Sequence, residues 1–238
     1  MRLRLVETGR VCGRYASADE GDVIDLFDVK EVSWRWVRSW NVCPTDLVGI
    51  VVEDAGRARR EGRPVVREVR AARWGLVPSW TTALDGRRLL INARAETLTV
   101  KPSFRAAAAR RRAVVPASGY YEWAAGPGRR KTPFFLRPED GGVLGFAGVY
   151  EWWRVPDGVS LPGVEDGWLC SMAIVTRPAM DSIGNLHDRM PVVVPGGLVD
   201  EWLSPDLTKL GDVADLVAAM PDPMLVPIER SPTDADTV

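Results

Sequence analysis

LVGIVV (47–52) is a short, uncharged run dominated by β-branched residues. It has the length of a buried strand and is too short for a buried helix. Seven more short runs of strand character lie at 65–69, 89–93, 113–116, 134–136, 143–149, 172–176 and 191–194, with glycine and proline between them. Helical patterns are fewer. SADE (17–20) reads as a capping box, with Val23, Ile24, Leu26 and Phe27 as the apolar positions of the helix it opens. Residues 101–111 carry a proline at the second position and an alanine-rich interior, which predicts a helix. Two further helices are expected at 199–203 and 210–220. Many strands with few helices between them exclude a regular βαβ sheet. The pattern predicts an α+β single domain, its mainly antiparallel strands curled into a barrel-like core with short flanking helices. No repeat or low-complexity linker interrupts it. The polar stretch 228–238 is expected to be a disordered tail.

The chain has 238 residues, 46% hydrophobic and 26% charged, with a net charge of −1. These are ordinary values for a globular protein. No apolar run has the length of a membrane helix, and MRLRLVETGR (1–10) lacks the apolar core of a secretory signal. Three cysteines, at 12, 43 and 170, point to reduced thiols in a cytoplasmic protein. Cys43 and Cys170 read as structural. One histidine and no CxxC argue against zinc. Basic residues cluster at 57–63, 110–112 and 129–131. Each cluster reads either as a solvated face or as part of a local phosphate-binding groove.

Several motifs carry candidate chemistry. Cys12 in VCGRY (11–15) is either a small buried apolar residue or a nucleophile. Glu122 in VVPASGYYEW (114–123) has Tyr120, Tyr121 and Trp123 as neighbours. Aromatic bulk around a carboxyl raises its pKa and suits general acid–base work. Asn92 and Arg94 in INARAET (91–97) alternate onto one face of a strand. Arg94 is a phosphate ligand or a salt-bridge partner of Glu96. His187 in HDRMP (187–191) is the only histidine, and Arg189 shares its face if the segment is a strand. WGLVPSW (74–80) and NVCPT (41–45) offer Trp74, Trp80 and Pro44 as apolar wedges.

Together these motifs resemble the SRAP family, the SOS-response-associated peptidase-like proteins that include abasic-site sensors. The resemblance spans about residues 11–203 and puts the SRAP domain at 11–227, with 1–10 as an N-terminal extension. It implies that Cys12 is the first residue of the mature protein. Its α-amine and thiol then capture the aldehyde of an abasic site in single-stranded DNA as a thiazolidine. A lyase side activity and a self-processing peptidase activity are implied as well. Glu122 is implied as the proton shuttle beside the amine, His187 as the acid that opens the sugar ring, and Asn92 as an orienting group. Trp80 and Pro44 correspond to residues that stack beside the lesion. Arg94 and Arg189 are implied as phosphate ligands, with Arg14 and Thr176 as further contacts. No cofactor and no metal are implied. The expected protein is a cytoplasmic, nucleoid-associated monomer whose partner is single-stranded DNA containing abasic sites.

Ten residues precede Val11. While they remain, the Cys12 nitrogen is an unreactive amide. Either Val11 is the true initiator, from a GTG codon read as Met and then removed, or 1–10 is a propeptide. The 27 arginines against four lysines fit GC-rich coding, in which such starts occur. Two rival readings are a peptidase and a non-covalent single-strand-binding module with an inactive N-terminus. A protein mass beginning at Cys12 separates the first two readings from the last.

Overall fold

The computed structural model describes residues 13–84, 89–125, 131–179 and 186–233. Its centre is a closed ring of five strands. β3 (Leu47–Glu53) pairs antiparallel with β4 (Arg67–Trp74) and with β6 (Arg112–Ala125). β6 pairs with β8 (Leu144–Arg154), and β8 with β10 (Trp168–Pro178), both antiparallel. β10 closes the ring by running parallel to β4 at Ser171–Arg73 and Met172–Trp74. Short strands extend the ring at its rim: β1 (Tyr15–Ser17), β2 (Glu31–Val32), β5 (Asn92–Arg94), β7 (Lys131–Pro138), β9 (Val164–Glu165), β11 (Arg189–Pro191) and β12 (Leu225–Glu229). The expected barrel-like α+β fold is thus realised.

Strand alternation sorts the core into two layers. Val48, Ile50 and Val52 of β3 point into the barrel with Trp74, Val115, Phe146, Met172 and Ile174. Val51, Val69, Val114, Val149 and Val175 point outward and are covered by helices. Those helices are α1 (Glu20–Leu26), α3 (Ala95–Leu98), α4 (Pro102–Arg110), α5 (Val199–Leu203) and α6 (Leu210–Ala219), while α2 (Ala55–Glu61) follows β3 and buries only Ala58. In α4, Pro102 occupies the first turn, where its missing N–H costs nothing, and Phe104, Ala107 and Ala108 form the buried stripe.

Local boundaries differ from the sequence reading for identifiable reasons. Asp19, not Ser17, caps α1, accepting the Gly21 N–H at 3.0 Å. Ser17 is instead the last residue of β1. β6 is far longer than 113–116 because it changes partners, from β3 and β8 to β7 and β1. Gly119 permits the change: a Cβ there would lie 2.4 Å from the Leu136 carbonyl oxygen. The last strand runs past Pro227 to Glu229, and the Arg230 N–H donates to the Pro133 carbonyl at 3.1 Å.

Two of the basic clusters are spent internally in part, while Arg59, Arg60 and Arg110 stay exposed. Arg57 and Arg63 both donate to the Glu61 carboxylate at 2.6 Å. Arg111 donates to Glu151 at 2.6 Å. Arg112 is buried and donates to the carbonyls of Ala108, Trp202 and Ser204 at 2.6–2.7 Å, tying β6 to α4 and α5. Burial lowers its pKa to about 10. At the same end of the barrel, Arg70 bonds Asp54 at 2.9 Å, pairs with Glu68 and lies over the Trp152 ring. Cys170 also lies in the barrel core, and burial pushes its thiol up to about 12, so it is an inert packing group. The other end of the barrel remains for chemistry.

Candidate active site

The open end is floored by aromatic rings. Trp74 meets Tyr15 edge-on at 5.2 Å, and Phe146 contacts Tyr15 at 6.1 Å and Tyr120 at 6.0 Å. Trp74 is fully buried, and its indole N–H donates to the Ile91 carbonyl at 2.9 Å. It therefore has no face for a base, and its expected role as a wedge is corrected to that of a floor. Trp80, from the same motif, is 57% exposed. Its loop is held by the Thr81 carbonyl, which accepts the Trp153 indole N–H at 2.6 Å.

The Ile91 anchor delivers Asn92. β5 runs parallel to the end of β10, pairing Asn92 with Ile174, Ala93 with Val175 and Arg94 with Thr176. Ala93 faces the helices, so Asn92 and Arg94 share the other face, as the alternation predicted. Asn92 is half-buried and Arg94 exposed. Arg94 has no ion pair among the described residues within 4.0 Å; Glu96 is paired elsewhere.

Glu122 is 2% exposed on β6, opposite Phe134. Strand alternation puts it on the same face as Tyr120, whereas Tyr121 and Trp123 turn the other way and pack with Phe135. The expected three-ring enclosure is thus corrected: adjacent residues of one strand cannot all surround a common point.

His187 precedes β11. Its Nδ1 accepts the Arg189 backbone N–H at 3.2 Å and lies 2.7 Å from Asp188 Oδ1. One nitrogen cannot serve both at once. With a proton on Nδ1 the ring donates to Asp188, and without one it accepts from the Arg189 N–H.

Arg189 is occupied. It donates to both Glu96 oxygens at 2.7 and 2.8 Å, to Thr176 Oγ1 at 3.3 Å and to the Thr176 carbonyl at 2.7 Å. Thr176 itself is 1% exposed. The pair fastens β11 to β10 and α3, a positioning task in place of the direct phosphate contacts expected of both residues. Arg189 holds the Glu96 carboxyl below the usual glutamate range. A lowered folded-state pKa contributes stability above the unfolded value, and that stability is lost as acid protonates Glu96. The melting-temperature gap between wild type and Glu96→Gln is accordingly expected at neutral pH and should close well below pH 4.5. A gap that persists at low pH would refute the ion pair as its source.

The NVCPT turn borders the same mouth. Arg14 Nη1 donates to Asn41 Oδ1 at 2.6 Å and lies 3.1 Å from Cys43 Sγ, so Arg14 fixes the turn. Burial raises the Cys43 thiol pKa, partly offset by Arg14. Pro44 is half-buried. Thr45, beside it, sits at φ 83°, a left-handed conformation that is costly for a β-branched residue. The Thr45 N–H donates to the Trp74 carbonyl at 2.8 Å, and the Trp74 N–H to the Asp46 carbonyl at 2.9 Å. Those two bonds hold the strain and set the aim of Pro44. Sequence reading named Pro44 but not Thr45, because φ is invisible in a sequence without a glycine to mark it. Thr45→Gly is expected to relieve about 1 kcal/mol of strain. Its melting temperature should rise by about 2–4 °C for a chain of this size. A fall of that size in calorimetry would show the conformation to be unstrained.

Residues 11–231 match the family model described as SOS response associated peptidase (SRAP). The chain belongs to the SRAP family. Its SRAP relatives include the abasic site processing protein YoqW of Bacillus subtilis, 32% identical over 201 residues, which are 83% of this chain and 82% of YoqW. YoaM of the same organism, also named an abasic site processing protein, is 32% identical over 83% of this chain and 81% of its own length. The abasic site processing protein HMCES of Pongo abelii is 32% identical over 64% of this chain and 48% of its own. A crystal structure from Bordetella bronchiseptica shares the SRAP fold seen here with a TM-score of 0.73 at 24% identity, covering 92% of this chain and all of that one. Another, from Bacteroides thetaiotaomicron, gives 0.60 at 27% identity over 74% and 71%. Cys12 lies outside the described residues. Among the described residues no helix is long and apolar enough to cross a membrane.

Proposed function

We propose that this SRAP protein captures abasic sites in single-stranded DNA through the α-amine and thiol of Cys12, once Cys12 is the N-terminal residue. The observation that carries this reading is the register of β1 on β6. Tyr15 lies opposite Tyr120, and the Arg14 carbonyl accepts the Tyr121 N–H at 3.0 Å. Continued by two residues, that register brings Gly13 level with Glu122. The start of the described chain thus runs beside a buried carboxylate, at a mouth that also presents Asn92.

The chemistry balances as follows. The neutral amine adds to the sugar aldehyde, and the carbinolamine loses one water to give an imine. The thiol sulfur then bonds to the imine carbon while the thiol proton ends on nitrogen, closing a five-membered thiazolidine. Proximity favours closure, because the sulfur is already tethered to the imine. Glu122 moves the protons of the addition and dehydration. His187 protonates the ring oxygen of the closed sugar, releasing the aldehyde. An imine that eliminates before closure would cleave the strand, which accounts for a lyase side path. The Cys12 thiol would also serve as the nucleophile for removal of residues 1–11: it takes the Val11 acyl group as a thioester, which water hydrolyses, and the Cys12 amine is freed. The intact mass of the adduct tests the reading: protein from Cys12 plus oligonucleotide minus one water, obtained without a reductant. An adduct seen only after borohydride treatment would reduce the reading to a simple imine.

Arg94 and Arg189 should separate in the salt dependence of binding. Losing the exposed Arg94 as Arg94→Ala is expected to flatten the log–log salt slope by about 0.7, one phosphate contact on a single strand. Arg189→Ala is expected to lower the melting temperature, because it strands Thr176 and Glu96. Equal slopes for wild type and Arg94→Ala, measured by anisotropy, would remove Arg94 from the DNA path.

A further inference from the structure

Beside the mouth, on the outer side of β3, lies a groove of about 460 Å³ that none of the motifs above accounts for. SWRWVRSW (33–40) forms one wall. Trp34, Trp36 and Val37 line it, facing Leu47 and Pro162, with Tyr15 at the end nearest the active site. Trp36 is fixed: its indole N–H donates to the Ala18 carbonyl at 3.2 Å, and its ring lies against Gly49, where a Cβ would approach to 2.5 Å. Trp34 stacks on it nearly parallel, at 17° and 6.1 Å between centroids. Exposure alternates along this wall: Trp34 and Trp36 are half-buried and Arg35 is exposed between them. The Arg35 side chain is 85% exposed, with Glu20 at 3.8 Å as its acidic neighbour among the described residues. Arg38 lies over the Trp40 ring at 4.4 Å, and Arg230 over the same ring at 4.9 Å. On the opposite rim the Asp46 carboxylate accepts the Cys43 N–H at 2.8 Å.

We infer that this groove seats a nucleobase of the single strand flanking the abasic nucleotide, with Trp34 as the stacking surface and Arg35 on the adjoining phosphate. The inference rests on the proposed reading that single-stranded DNA is the substrate. Three observations favour a nucleic acid over other occupants. Exposed arginines interleave with indoles along 34–40 (Trp34, Arg35, Trp36, Arg38, Trp40), and stacking rings with cations beside them are what a single strand binds. The volume falls in the range of small-ligand sites. The groove also adjoins the turn that carries Pro44, since Thr45 and Asp46 line it.

The test compares binding of a trinucleotide and an octanucleotide, each with a central stable abasic analogue that cannot form an adduct, by anisotropy. The wild type is expected to gain affinity with length, and Trp34→Ala to lose about tenfold of that gain, one stacked base. Arg35→Gln, at a side chain 85% exposed whose acidic neighbour Glu20 lies 3.8 Å away, is expected to cut the gain further and to reduce its salt dependence. An unchanged length gain in both variants overturns the groove assignment. So does equal weakening on both oligonucleotides, or displacement of the octanucleotide by a proline-rich peptide at lower concentration than by a second oligonucleotide. Adduct formation on a reactive abasic oligonucleotide is scored separately. Its absence would count against the covalent reading, while the length gain still decides the groove.

Discussion

Cys12→Ser is expected to abolish the heat-stable adduct with abasic single-stranded DNA while leaving non-covalent binding largely intact. Serine keeps the α-amine, so the imine can still form. Its hydroxyl is a poorer nucleophile than a thiol, and the oxazolidine it would close hydrolyses more readily. The proposed DNA contacts lie elsewhere: Trp80, Pro44 and Arg94 belong to loops and a strand outside β1. The same chemistry requires that a chain retaining Met1–Val11 give no thiazolidine, because its Cys12 nitrogen is an amide. Denaturing gels after heating, with N-terminal mass analysis of each preparation, read both outcomes. A stable shifted band from Cys12→Ser, or from fully crosslinking protein that still begins at Met1, would sink the aminothiol mechanism.

Glu122→Gln and His187→Ala are each expected to slow crosslinking at neutral pH by about 10²–10⁴-fold, the usual worth of a positioned acid or base. Their defects should differ with the substrate. Glu122 is buried within the strand that pairs with β1, which suits proton transfers at the amine and the imine. His187 is partly exposed in the turn before β11, and its protonated and neutral forms each have a bonding partner. That suits a group that gives up a proton to the sugar ring. An abasic analogue already presenting an open-chain aldehyde should therefore rescue His187→Ala but not Glu122→Gln. Single-turnover rates on the two substrates decide it. Equal defects on both substrates would refute the division of labour, and full activity in both variants would remove the residues from the chemistry.

The barrel was legible because strand runs and their alternation are local properties. LVGIVV reads as a buried strand, and Val48, Ile50 and Val52 of that strand form one wall of the barrel interior. The four candidate catalytic residues could be named from the sequence because motifs carry them as short fixed strings. α2 escaped the reading: its buried face is the single residue Ala58, and arginines fill the rest. The SWRWVRSW groove escaped because its tryptophans read equally well as core. Only the packing of Trp36 onto Gly49 shows which ring is anchored and which side stays open.

The sequence by itself determined the fold class, the family and the order of its motifs, since these depend on residue type and near-neighbour spacing. Tertiary structure decided which member of each pair faces solvent. Trp74 and Trp80 close one seven-residue motif, yet one is sealed beneath Tyr15 and the other stands in solvent. Glu96 lies two residues from Arg94 and 93 from Arg189, and it pairs with the distant one. On β5 and at the start of α3, Arg94 points into solvent while Glu96 turns toward β11. Such choices depend on which strands become neighbours when the ring closes, and no spacing along the chain encodes that by itself.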